Sequence, residues 1–129
     1  MLQIDLTVGS RYQLDRKKVR SKVEEVLRNH GITHARVDIS IVGVRKIRQL
    51  NESRLAHQGI TDVLSFPLHE KKQLEDFPLP SGIPPHLGDI VICYPAAVDQ
   101  AKKFGKLVDD QLCFLAEHGL LHLLGYHHE

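Results

Sequence analysis

Leu2, Ile4, Leu6 and Val8 alternate with other residues at the start of the chain, the period of a strand with one buried face. Asp15 then precedes a run in which Val19, Val23, Val26 and Leu27 recur at helical spacing, so it is read as the cap of a helix that stops at Gly31. Arg36 to Val42 alternates again, with Val37, Ile39 and Ile41 inward. Gly43 breaks that pattern, and Val44 to Arg54 reads as a second helix. Its stripe is Val44, Ile47, Leu50 and Arg54, which brings a guanidinium onto the buried side.

Asp62 to Phe66 and Leu87 to Cys93 are short apolar runs of strand length. Pro95 suits the first turn of a helix running to about Phe104, and Gly105 separates it from a last helix over Val108 to Leu124. That last helix is apolar nearly all round and is expected at the centre. The order βαβαββαα predicts an α+β fold, a small four-stranded sheet, mainly parallel or mixed, covered by helices. Between the third and fourth strands, Pro67 to Pro85 holds five of the six prolines, and so long a connection is more often functional than ordinary.

Composition narrows the class. A chain of 129 residues, 42% hydrophobic and 26% charged, reads as a single domain over 1–129. No run approaches the ~20 apolar residues of a membrane span, and the N-terminus lacks a basic start followed by an apolar signal core. A soluble, cytoplasmic protein is expected. Cys93 and Cys113 lie in apolar runs outside any ligand spacing, so they are read as two buried free thiols in a reducing compartment.

Net charge is only +1, but its distribution is uneven. Residues 1–60 carry 12 Lys and Arg against 6 Asp and Glu, whereas residues 61–129 carry 5 against 10. Part of the excess is Arg16, Lys17, Lys18, Arg20 and Lys22 at the start of the first helix, where the helix dipole disfavours cations. A solvated face is slightly favoured there over a phosphate-binding surface.

The chemistry concentrates at the end of the chain, in His118-Gly-Leu-Leu-His122-Leu-Leu-Gly125-Tyr-His127-His128. Histidines four apart on a helix share a face, with roughly 5 to 6 Å between their Cβ atoms. Gly125 can take the left-handed conformation that ends a helix and turns the chain back, returning His128 toward the first pair. One buried histidine is usually a hydrogen-bonded core residue. Here two imidazoles on one apolar face would carry a desolvation cost that a shared cation removes, and three nitrogens leave the fourth corner of a zinc tetrahedron open for water, as in catalytic sites. A water so bound ionises near pH ~7 and can supply hydroxide.

Together, that terminal pattern, Asn51-x-x-Arg54 followed by Thr61-Asp62-Val63-Leu64-Ser65-Phe66-Pro67, and Leu87-Gly88-Asp89-Ile90-Val91-Ile92 resemble the YbeY family of bacterial endoribonucleases. The family's signature H-G-x-L-H-L-x-G-Y-D-H is matched at each fixed position except its Asp, which is His127 here. The resemblance implies a zincin-like central helix, one Zn2+ per chain held by His118, His122 and His128, and Arg54 as the phosphate-facing catalytic arginine. It also implies cleavage of single-stranded RNA in small-subunit rRNA 3′ maturation and ribosome quality control, with the small ribosomal subunit and assembly factors as partners.

Two other readings stand beside it. One is a ribosome-assembly or RNA-binding factor with a structural zinc, although closed structural sites usually recruit Cys. The other is a metalloprotease, because metzincins share the spacing H-E-x-x-H-x-x-G-x-x-H. Their general base is the Glu at the second position, which is Gly119 here. Glu117 cannot replace it, being rotated by about 100° from His118 on a helix. For Arg54, the plain structural alternative is a buried ion pair with Asp62 or Asp89.

Overall fold

The computed structural model describes residues 1–55, 61–68 and 82–126, the side chains of 53–55 excepted. The alternating runs become β1 (Leu2–Val8), β2 (Ala35–Val42), β3 (Val63–Pro67) and β4 (His86–Cys93). The helical runs become α1 (Arg16–Asn29), α2 (Val44–Leu55), α3 (Tyr94–Phe104) and α4 (Val108–Leu123). Each matches its expected span to within two residues or so. The strands lie in the order β1-β2-β4-β3. β1, β2 and β4 run parallel and β3 pairs antiparallel to β4, so the sheet is mixed, as the pattern predicts.

Alternation divides the side chains between two faces of the sheet. On the first, Ile4, Val37, Ile39, Ile41, Ile90 and Ile92 pack against Val19, Val23 and Leu27 of α1 and Leu112, Leu115 and Leu120 of α4. Fully burying a side chain of this size contributes ~1.5–3 kcal/mol, so this layer carries most of the stability. On the second face, Leu64, Val91 and Cys93 pack against Ile47 of α2. β4 is therefore covered on both sides, which explains its nearly unbroken apolar run.

Gly88 admits this arrangement. Its φ is 150°, and a Cβ there would collide with the Phe66 carbonyl and come within 2.8 Å of Leu123 Cδ2. The two cysteines are buried and unbridged, as expected. Burial pushes both thiols above the ordinary range, which makes them poor nucleophiles.

The caps follow the sequence closely. The Asp15 carboxylate accepts the Lys18 backbone N–H at 3.1 Å at the start of α1. The cations in the first half of α1 are partly absorbed by the acidic helix α4: Lys18 reaches Asp110 at 2.6 Å, and Lys22 reaches Glu117 at 3.8 Å. Arg16 donates to the Leu6 carbonyl at 3.2 Å. Much of this cluster thus serves contacts within the domain.

Candidate active site

Phe114, His118 and His122 follow one another at four-residue intervals along α4 and form one stripe. The His118 and His122 rings lie 4.9 Å apart between centroids at 36°, and the Phe114 ring lies 6.5 Å from His118. Both imidazoles are half-buried. Gly119, beside them, faces elsewhere. A Cβ at Gly119 would stand 2.7 Å from Ile90 Cγ2 and 3.3 Å from Val63 Cγ2, so this position lies against β3 and β4. A side chain there meets the sheet, which removes the metzincin base position in space as well as in sequence.

The end of α4 is a Schellman turn. Gly125 has φ 94° and donates its N–H to the His122 carbonyl at 3.0 Å, while the Tyr126 N–H reaches the Leu121 carbonyl at 2.9 Å. The chain reverses here, and the Tyr126 ring comes to 5.3 Å from that of His30 at the end of α1. His127 and His128 lie outside the described residues. Of the three expected ligands, then, His118 and His122 are brought together, and the position of the third is not described.

Arg54 belongs to the last turn of α2, and its side chain also lies outside the described residues. The stripe on which it was expected is buried where it is described, since Ile47 is fully enclosed and Val44 and Leu50 pack around it. Asn51, 5% exposed, shares that side one turn beyond Ile47. Its burial was not foreseen from the pattern, although its spacing of four from Ile47 carried the signal.

Asp62 and Asp89, the two carboxylates considered as arginine partners, have separate surroundings. Asp62 accepts a hydrogen bond from Gln100 Nε2 at 3.0 Å. The Gln100 side-chain oxygen in turn accepts from Gln111 Nε2 at 2.6 Å, and Lys106 donates to Gln111 at 2.8 Å. This relay, with Gln111 buried, ties the segment before β3 to α3 and α4.

Asp89 belongs to a second cluster on the sheet face opposite α4. Asp38 and Asp89 are register partners on β2 and β4. His86 Nε2 lies 3.2 Å from Asp38 Oδ2 and 3.6 Å from Asp89 Oδ1. One ligand atom from each of the three lies within 4.8 Å of the others, so this group can hold a metal ion. Arg36 already serves the same carboxylate, donating to Asp38 at 3.3 and 3.0 Å and reaching Asp5 at 3.3 Å. Its guanidinium is held charged by Asp38, and a fixed cation this close opposes a second one. The sequence reading missed this group because Asp38, His86 and Asp89 meet only through strand pairing.

Residues 6–129 match the profile of the family described as Endoribonuclease YbeY. The chain belongs to the YbeY family. The resemblance read from its motifs is borne out. The chain is similar to "Endoribonuclease YbeY" of Geobacillus sp. strain WCH70, 45% identical over 100 residues, covering 78% of this chain and 64% of that one. The YbeY protein of Geobacillus thermodenitrificans is 44% identical over 95 residues, with 74% and 61% covered. Each of these two is thus covered over less than two thirds of its length.

The YbeY protein of Macrococcus caseolyticus is 38% identical over 133 residues, with 99% of this chain and 83% of that one covered. Among solved structures, the Thermotoga maritima protein TM1509 is similar with a TM-score of 0.61 and 30% identity, over 100% of this chain and 75% of that one. The α+β architecture is shared with it. Among the described residues, no helix is long and apolar enough to cross a membrane.

Proposed function

We propose that this YbeY-family chain is a zinc-dependent endoribonuclease that cuts single-stranded RNA, serving small-subunit rRNA 3′ maturation and ribosome quality control in the cytoplasm. Ribosomal RNA is its substrate, and the small subunit and its assembly factors are its partners. The observation that carries the reading is the imidazole pair His118 and His122, half-buried on one stripe of α4, 4.9 Å apart, just before a turn that reverses the chain. Two neutral imidazoles from adjacent turns are a donor set that suits zinc. His128, three residues beyond Gly125, completes it, and a zinc ion held by the three would supply Lewis acidity and activate water near neutral pH.

The remaining work falls to the chain itself. Arg54, with five donors in a planar fork, holds the phosphodiester and offsets the charge that builds up as the phosphorus gains a fifth oxygen. Gly119, packed on Ile90 and Val63, fixes the tilt of α4 on the sheet and thereby the direction of both rings. Peptide hydrolysis by the metzincin route has no base in this arrangement.

The test is metal analysis together with cleavage of a single-stranded RNA, on nuclease-free wild type, His122→Ala, His128→Ala, His127→Ala, Arg54→Ala and Asp38→Asn. Zinc is expected to fall with His122→Ala and His128→Ala, more than with His127→Ala. It is expected to stay in Arg54→Ala and Asp38→Asn. Cleavage is expected to drop about 100-fold or more in Arg54→Ala, the scale seen when one charge-stabilising donor is removed. Equal zinc losses from His127 and His128 would refute the ligand assignment. Zinc lost with Asp38 and kept without His122 would move the metal to the other face. Equal cutting by all preparations would mark the activity as contamination and leave a binding factor.

A further inference from the structure

We infer that the crevice at the carboxyl ends of β1 and β2 is a docking subsite for single-stranded RNA, separate from the histidine pair. The inference rests on RNA being the substrate, as proposed above. Its basis is topological first. β1 hands the chain to α1, which covers the first face of the sheet, and β2 hands it to α2, which covers the second. Adjacent parallel strands whose connections leave toward opposite faces open a crevice at their carboxyl ends, the usual place for a ligand in such a sheet. A cavity of about 930 Å³ occupies this place.

Its lining has two parts. Arg11, Arg45 and Lys46 stand exposed around it, and among the described residues no Asp or Glu lines it. Elsewhere in the basic half of the chain, four cations are matched, Lys18 with Asp110, Lys22 with Glu117, Arg28 with Glu24 and Arg36 with Asp38, while Lys17, Arg20 and Arg48 carry no ion pair with a described residue. None of Arg11, Arg45 and Lys46 is ion-paired with a described residue. Part of the excess charge of residues 1–60 therefore gathers here, three unmatched cations around one crevice. Arg45 and Lys46 also occupy the first turn of α2, which carries no acid, so their repulsion with the helix dipole is left standing until an anion arrives.

The floor is apolar, formed by Val8, Ile41 and Val44, with Tyr12 as one wall. Tyr12 is held in place. Its ring stacks on Tyr94 at 4.5 Å and 21°, and Gly9 and Gly43 make room for it, since a Cβ at Gly43 would stand 2.7 Å from its hydroxyl. A cationic rim beside a rigid aromatic and an apolar floor matches an unpaired strand, whose phosphates take the cations while a base takes the apolar surface. An acidic peptide satisfies only the rim. A second cavity shares Thr7, Ser40, Leu50 and Val91 with it and is lined by Asp5, Asp38 and Asp89 against the single cation Arg36, a balance that disfavours phosphate there.

The experiment measures binding apart from cutting. In a His122→Ala background, Arg11→Gln/Arg45→Gln/Lys46→Gln is titrated against a short fluorescein-labelled single-stranded oligoribonucleotide by anisotropy at several salt concentrations. Folding is checked by thermal unfolding, and all three side chains are exposed. Affinity is expected to fall about 10-fold or more, and the log-log salt slope to shrink by about 2, at roughly 0.7 for each phosphate that is no longer neutralised. In the otherwise wild-type protein the same triple change should raise KM for RNA and spare kcat.

Unchanged affinity and slope, with wild type still cutting RNA, would overturn the subsite and leave the proposed activity intact. A wild type that neither binds nor cuts RNA would overturn both. A polyglutamate peptide that loses binding in the triple variant while RNA does not would also overturn the proposal, in favour of an acidic protein partner.

Discussion

Gly119 is where one missing side chain has the most consequence. It follows His118 directly, yet its position faces the sheet, with Ile90 Cγ2 only 2.7 Å from where a Cβ would stand. Alanine there gains ~1 kcal/mol of helix propensity and loses ~1–3 kcal/mol to overpacking against a β-branched side chain. The second effect wins, because Ile90 is fully buried in β4 and has nowhere to move. Gly119→Ala is expected to lower the urea midpoint, and a raised midpoint would show that α4 can lift off the sheet at little cost. The absence of Glu at this position was legible in the sequence. That any side chain there meets β3 and β4 was not, because the direction of a helix position depends on what the helix lies against.

At the scale of elements, the glycine stops are as informative as the periodicities. Both α1 and α4 end in the same hydrogen-bond pattern. Gly31 and Gly125 take positive φ and donate back to Arg28 and His122, and the next residues, Ile32 and Tyr126, donate to Leu27 and Leu121. Gly125→Ala forces an L residue into that left-handed conformation at a cost of about 1 kcal/mol. The same strain loosens the turn that follows His122. On the proposed ligand set, the variant is expected to lose zinc affinity as well as a few degrees of Tm, and Gly31→Ala to lose Tm alone. Equal zinc affinity in the two variants would count against His128 as the third ligand.

Helix and strand spans were legible because each is set by neighbours along the chain. The relay from Lys106 through Gln111 and Gln100 to Asp62 was not, since it joins α3, α4 and the segment before β3. The same holds for Lys18 and Lys22, whose partners Asp110 and Glu117 lie on another helix. A basic run read alone looks like a free surface. Beside α4, two of its five cations are contacts between helices.

For the whole molecule, the mixed sheet sets a gradient of stability. β2 and β4 are each paired on both sides, and Val37, Ile39, Ile41, Ile90 and Ile92 are buried at or near 0% exposure. Their amides should be the slowest to exchange with deuterium, followed by those of α4, with β1 and β3 faster as edge strands. If β1 proved slowest, the strand order would be in question. This gradient also places the two candidate sites on firm ground, because α4 rests on β4 from one face while Asp38 and Asp89 project from β2 and β4 on the other.

Alternation, helical spacing and glycine stops are relations between residues close together in the chain. By itself, therefore, the sequence determined the elements, their order and the pairing of His118 with His122 on one stripe. Sheet order is a relation between residues far apart, settled by which apolar faces bury each other best. Only the tertiary structure decided that β4 enters between β2 and β3, bringing His86 and Asp89 beside Asp38. It alone sent α1 and α2 to opposite faces, opening the crevice ringed by Arg11, Arg45 and Lys46.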